Sequence, residues 1–305
     1  MKLISFRQGD RVGAGVVLAD EVLDIAAAAG LTGERTDLSS MLAIVRGGPA
    51  ALTACRRLEQ QAREQRQRLS AALLPSASLR LLAPIPTPVR NIFCVGRNFL
   101  EHVREGASAH NAAVKAPEVP QFFTKATHAL VGPGGDVRLD PKVTQKLDYE
   151  VELAVVIGVG GRDIPASSAF EHIFGYTIAN DVTARDLQRR HDQWFKGKSL
   201  DTTLPLGPCI VPSADIGDPR SLELSMSVNG EERQRARVEQ MIFDIPQLIA
   251  ALSAGLTLEP GDILSTGTPS GVGFAMTPPC YLRGGDEMVA RIDRIGELRN
   301  RIVEV

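Results

Sequence analysis

Short apolar runs separated by turn residues dominate this chain, and helical spacing is confined to a few stretches. Lys2 to Phe6 and Gly13 to Leu18 read as short strands near the N-terminus. Ser39 to Val45 and then Pro49 to about Leu73 read as helices, the second polar and rich in Arg and Gln. Its Arg56, Arg57, Arg63, Arg66 and Arg68 interleave with Glu59 and Glu64, so a solvated helix face explains them better than an anion patch. Leu82-Ala83-Pro84-Ile85-Pro86-Thr87-Pro88 is a Pro-punctuated linker. The pattern predicts a small N-terminal α/β domain over residues 1–83 and a larger domain over 84–305.

Beyond the linker, strand-like runs such as Asn91 to Val95, Leu222 to Val228 and Met288 to Ile292 outnumber helices. Asn229-Gly230 signals a tight hairpin turn. Short helices are expected near Asn98–Glu105, Ala166–Ile173, after Asp181, and near Ile245–Gly255. This is a β-dominated α+β pattern without the strand–helix alternation of a doubly wound sheet or barrel.

One run is chemically unusual. Tyr149 to Gly158 reads as a buried strand, yet carries Glu150 and Glu152. Side chains alternate along a strand, so these two carboxylates share a face while Val151, Leu153, Val155 and Ile157 fill the other. Like charges on an apolar strand repel and resist desolvation, and a bound cation relieves both problems. Asp181 closes the next apolar run. Glu150, Glu152 and Asp181 therefore form a candidate oxygen-only site for a hard divalent metal, Mg²⁺ or Mn²⁺, with Ca²⁺ admissible.

Composition narrows the class. The 305 residues carry a formal net charge of -2, which gives no electrostatic case for nucleic acid or an anionic membrane. No apolar stretch is long enough to span a bilayer. Cys55, Cys94, Cys209 and Cys280 are widely spaced and fit reduced thiols in a cytoplasmic protein.

Other segments add candidates. Asn98 is a plausible N-cap and Gly106 a plausible stop for a short helix that sets His102 and Glu105 one turn apart. Gly106 to Pro120 looks like a mobile loop, a lid or a linker. Arg185 and Gln188 are again one turn apart, just after Asp181. Lys198 is a candidate oxyanion donor. Ser265 to Gly273 is Gly-rich without a G-K-[ST] sequence, so it suits hydroxyls and backbone N–H groups offered to a carboxylate better than a nucleotide loop.

Taken in order, these motifs resemble the fumarylacetoacetate hydrolase family over about residues 84–305. They are Val95-Gly96-Arg97-Asn98-Phe99 leading to His102 and Glu105, Phe123-Thr124-Lys125, Glu150-x-Glu152, Asn180 to Gln188, Lys196-x-Lys198-Ser199 and Thr266 to Gly273. The resemblance implies a mixed β-roll catalytic domain, a homodimer and a divalent metal on Glu150, Glu152 and Asp181. It implies His102 and Glu105 as a water-activating pair on a lid. Arg185, Gln188 and Lys198 match positions that contact substrate or its oxyanion, and Lys125 and Thr268 match positions near the substrate acid.

The expected activity is metal-dependent hydrolysis of a C–C bond in a 2,4-dioxo acid. An acylpyruvate such as fumarylpyruvate or maleylpyruvate, from aromatic-compound catabolism, would give pyruvate and an acid. The alternatives are an oxaloacetate decarboxylase or a hydroxymuconate-type isomerase on the same fold. A metal-binding protein without turnover ranks lower, because it leaves His102, Arg185 and Lys198 unexplained.

Overall fold

A computed structural model describes residues 1–109 and 111–305. Its main element is a 12-stranded mixed sheet running through both parts of the chain. From one edge the order is Leu73–Pro75, Glu21–Asp24, Arg11–Leu18, Leu3–Gln8, Leu204–Pro212, Ile173–Asn180, Val151–Ile157, Ile263–Ser265, Ile92–Gly96 and Gln121–Lys125. Arg80–Leu82 and Leu130–Val131 pair off this path. Leu3 lies opposite Ile210 and Ser5 opposite Leu82, so the N-terminal strands extend the sheet that carries the acidic strand.

A second sheet of five strands runs Glu231–Arg237, Glu223–Val228, Glu287–Ile292, Gly296–Glu304 and Asp136–Leu139. Its first hairpin turns at Asn229 and Gly230, whose φ values of 53° and 80° suit the tight turn expected there. The chain is thus α+β, with the mixed β-sheet architecture the sequence implied.

The Val151–Ile157 strand is buried throughout, with Ile173–Asn180 on one side and Ile263–Ser265 on the other. Val151, Leu153, Val155 and Ile157 join the core cluster that also holds Leu224, Met226 and Met288 of the second sheet. Ala154 and Val156 join the cluster beneath the N-terminal unit. Glu150 and Glu152 share the parity of Ala154 and Val156, as strand alternation requires.

Three local expectations change. The long N-terminal helix spans Met41–Glu64, broken at Gly48, and stops well before Leu73. Leu73–Pro75 is instead drawn into the sheet, with Leu74 opposite Val22. The helix carrying His102 spans Leu100–Ala109 and runs through Gly106, because nothing there demands a left-handed residue. The loop expected over 106–120 is therefore helical as far as Ala109, and it also includes position 110, outside the described residues. Asn98 does not cap this helix: its side chain donates to the carbonyls of Phe243 (3.0 Å) and Thr266 (2.9 Å) and accepts from Phe243 N–H at 2.8 Å.

Candidate metal centre and active-site cavity

Strand pairing assembles the acids. Val151 lies opposite Asn180, so Glu150 and Asp181 meet at the same end of neighbouring strands. Glu150, Glu152 and Asp181 are buried and offer carboxylate oxygens within 4.8 Å of one another.

Three cations stand among them. Lys198 Nζ lies 2.7 Å from Glu150 Oε2 and 2.7 Å from Asp181 Oδ2. Lys125 Nζ lies 2.7 Å from Asp181 Oδ1 and donates to the Val182 carbonyl at 2.9 Å. Arg185 Nη1 lies 2.7 Å from Glu150 Oε1, and its Nε donates to Asp148 Oδ2 at 2.8 Å. Lys198 reaches this position because Gly197 packs directly on the backbone of Gln188, where a Cβ would collide. The cluster sets four acids (Asp148, Glu150, Glu152, Asp181) against three bases (Lys125, Arg185, Lys198).

That imbalance falls on Glu152. Burial opposes charge on Glu150, but Lys198 and Arg185 outweigh it and hold its carboxyl down to about 2. Burial, then the Asp181 and Glu150 carboxylates, push Glu152 up to about 8. Its Oε2 accepts from Ser265 Oγ at 2.6 Å and Gly267 N–H at 2.9 Å. Burial works against charge on Lys198 too, yet Asp181 and Glu150 raise its pKa. Burial dominates at Lys125 and lowers it.

The donor set fits a hard divalent cation. It is all carboxylate, it carries excess negative charge, and a cation already bridges Glu150 and Asp181 in the form of the Lys198 ammonium. Glu150, Glu152 and Asp181 would hold the metal.

Glu150, Glu152 and Lys198 line a cavity of about 550 Å³, together with His102, Arg185, Gln188, Thr268, Phe123, Trp194 and Phe274. His102 Nδ1 lies 2.8 Å from Glu105 Oε1, so Nε2 is the nitrogen left for the cavity. Arg185 stacks on Phe274, with 4.5 Å from its guanidinium carbon to the ring centre. Its buried Nη2 has no hydrogen-bond partner among the described residues. Gln188 Oε1 accepts from Arg185 Nη1 at 3.2 Å. Thr268 Oγ accepts from Gln234 Nε2 at 2.8 Å, which leaves its hydroxyl hydrogen to donate elsewhere. Lys125 is fully buried against Asp181 and is not among the residues that line the cavity.

The Gly-rich segment does offer backbone N–H groups to carboxylates, and these belong to the protein itself. Gly267 serves Glu152, Gly271 serves Glu105 Oε2 at 2.8 Å, and Gly273 and Phe274 serve the two oxygens of Asp148 at 2.8 and 3.1 Å. Asp148 is absent from the sequence-derived set, although its place two residues before Glu150 was a usable signal. Its role is to hold Arg185.

Known proteins share much of this sequence and fold. The family model described as fumarylacetoacetate (FAA) hydrolase C-terminal matches residues 91–303. Oxaloacetate tautomerase YisK of Bacillus subtilis (strain 168) is 43% identical over 304 residues, covering 99% of this chain and 100% of the relative. The human mitochondrial oxaloacetate tautomerase FAHD2A is 41% identical over 242 residues, 78% of this chain and 74% of the relative. Among solved structures, a fumarylacetoacetate hydrolase from Exiguobacterium antarcticum superposes with a TM-score of 0.81 at 37% identity over the full length of both chains. Maleylpyruvate hydrolase from Sphingobium sp. SYK-6, in complex with manganese(II) and pyruvate, gives 0.72 at 29% identity over 100% of this chain and 99% of that one. With its buried carboxylate trio and facing His102–Glu105 pair, the chain belongs to the fumarylacetoacetate hydrolase family.

Proposed function

We propose that this protein interconverts the keto and enol forms of oxaloacetate, using Mg²⁺ or Mn²⁺ on Glu150, Glu152 and Asp181. The observation that carries the proposal is the His102–Glu105 pair: one imidazole nitrogen anchored by a carboxylate, the other available to a cavity whose acidic floor would accept a substrate carboxylate once a divalent cation is bound. The names of the two relatives, both oxaloacetate tautomerases at above 40% identity, support this choice of substrate. It replaces the acylpyruvate hydrolysis expected from the motifs. The same pair serves either reaction, because both need one positioned base.

A bound divalent cation would draw electron density from the 2-oxo acid end of the substrate as charge develops there. His102 Nε2 takes one proton from C3, with Glu105 steadying the imidazolium through Nδ1. The C–H electron pair becomes the C2–C3 double bond, and the C2 oxygen gains negative charge. The free Nη2–H of Arg185 and the Lys198 ammonium are the donors available for that charge. The proton then returns to the C2 oxygen and leaves the enol. Phe123, Trp194 and Phe274 line the cavity and limit water around the exchanging proton.

The test is a paired assay on Mn²⁺-loaded protein. One arm follows loss of enol-oxaloacetate, and the other follows pyruvate release from maleylpyruvate. Rapid tautomerisation with negligible pyruvate is expected; a higher kcat/KM for acylpyruvate cleavage would return the protein to the hydrolase reading, which the manganese–pyruvate neighbour favours. Homodimerisation belongs to the same proposal and is read by light scattering.

A further inference from the structure

Arg97 and Arg189 are cavity-lining cations that the scheme above leaves unused, and Arg189 lies over the Phe274 ring, 5.7 Å from its centre. Arg97 sits between the end of the Ile92–Gly96 strand and Asn98, whose side chain is pinned to Phe243 and Thr266. Its φ is 58°, the left-handed region, which a long side chain occupies only when its surroundings hold it there. The guanidinium Nη2 donates to the Lys115 carbonyl at 2.6 Å, from the segment that follows the His102 helix.

Its pairing separates it from Lys198 and Arg185. Lys198 and Arg185 are both tied to buried carboxylates. Arg97 forms no ion pair among the described residues, even though Asp192 lines the same cavity. A neutral carbonyl orients the guanidinium without cancelling its charge. That leaves N–H donors in a fixed fork, the geometry that suits a carboxylate.

We infer that Arg97 selects substrate by binding the carboxylate farthest from the 2-oxo acid end, so that the cavity favours four-carbon 2-oxo diacids over 2-oxo monoacids. This rests on the 2-oxo diacid reading under Proposed function. The inner cations hold one end of the substrate, and Arg97 reads the other. The Lys115 bond makes the receptor ready before substrate arrives.

Trp194 lines the cavity and is the only tryptophan in the sequence, so its fluorescence reports binding independently of turnover. Mn²⁺-loaded wild type, Arg97→Ala and Arg97→Lys are titrated with oxaloacetate, pyruvate and oxalate. The latter two lack a distal carboxylate next to a 2-oxo acid. Arg97→Ala should weaken oxaloacetate about 10- to 100-fold, the effect of one charge-assisted carboxylate contact. Pyruvate and oxalate should stay within about twofold, and Arg97→Lys should fall between. Unchanged pyruvate and oxalate affinity also certifies the fold of the variant. Equal oxaloacetate affinity in wild type and Arg97→Ala would overturn the proposal, as would equal weakening of all three ligands, which would reduce Arg97 to a loop tether. Preserved selectivity for oxaloacetate without tautomerase activity would support Arg97 in this role while removing the reaction assigned to the site.

Discussion

Glu105 accepts a hydrogen bond from the backbone N–H of Gly271 at 2.8 Å while its other oxygen holds His102 at 2.8 Å. The acid–base pair is therefore clamped between its own helix and the Gly-rich loop. His102→Ala should lower kcat for enol–keto exchange by about 10²- to 10⁴-fold, the usual contribution of a positioned base. Mn²⁺ affinity, measured by calorimetry, should change little, because His102 is not among the carboxylate donors. Full activity in the variant would remove His102 from the mechanism.

Gly271 adopts a φ of 105°, and a Cβ there would run into the Arg233 carbonyl. Gly271→Ala should thus cost about 1–3 kcal/mol in denaturant unfolding. It should also lower kcat, since the clamp on Glu105 shifts with the loop. Retained stability and activity together would contradict the packing described for this turn.

Lys125 is the buried counter-ion of Asp181. Lys125→Met leaves that carboxylate with one cation fewer, which should cost the metal-free protein about 3–5 kcal/mol. Added Mn²⁺ should then raise Tm by more than it does in wild type, because the metal replaces lost positive charge. Thermal scans with and without Mn²⁺ read both effects, and an equal metal-induced shift would show that Lys125 and the metal do not share Asp181.

Chelation gives a separate check on the carboxylate trio. Exhaustive EDTA treatment followed by desalting should abolish tautomerase activity, and Mg²⁺ or Mn²⁺ should restore it. Activity that survives chelation would confine Glu150, Glu152 and Asp181 to a structural role.

Asn98→Ala removes the amide that joins the Phe243 and Thr266 carbonyls. Leaving buried backbone groups unpaired should cost about 2–4 kcal/mol. Urea unfolding measures it, and a loss below about 0.5 kcal/mol would mean that water replaces the side chain.

The acidic strand was legible because strand alternation is a local rule. Glu150 and Glu152 had to share a face, and the pairing of Val151 with Asn180 then delivered Asp181. The contact between His102 and Glu105 was equally local, being one helical turn apart, but that spacing alone favoured a chance surface ion pair over chemistry. Partners that come from far along the chain were not legible. Asn98 read as a helix cap, since nothing local shows that Phe243 and Thr266 will surround it. The N–H groups of the Gly-rich segment read as donors to a ligand, whereas Glu105 and Asp148, distant in sequence, arrive to accept them. Lys125 was placed near the substrate acid by the resemblance alone, and a strand-end lysine does not announce that it will be fully buried. The reaction itself was the least legible, as one base can serve water or a carbon acid alike.

The loop that seats Glu152, Glu105 and Asp148 does so with amide hydrogens of the main chain. Short of proline, exchanging a side chain cannot delete such a donor. Relatives can therefore vary the walls of the cavity, and with them the molecule admitted, while the proton-handling and cation-holding acids keep their seats. What inheritance must preserve along this stretch is room for the backbone to turn, together with the hydroxyls of Ser265 and Thr268.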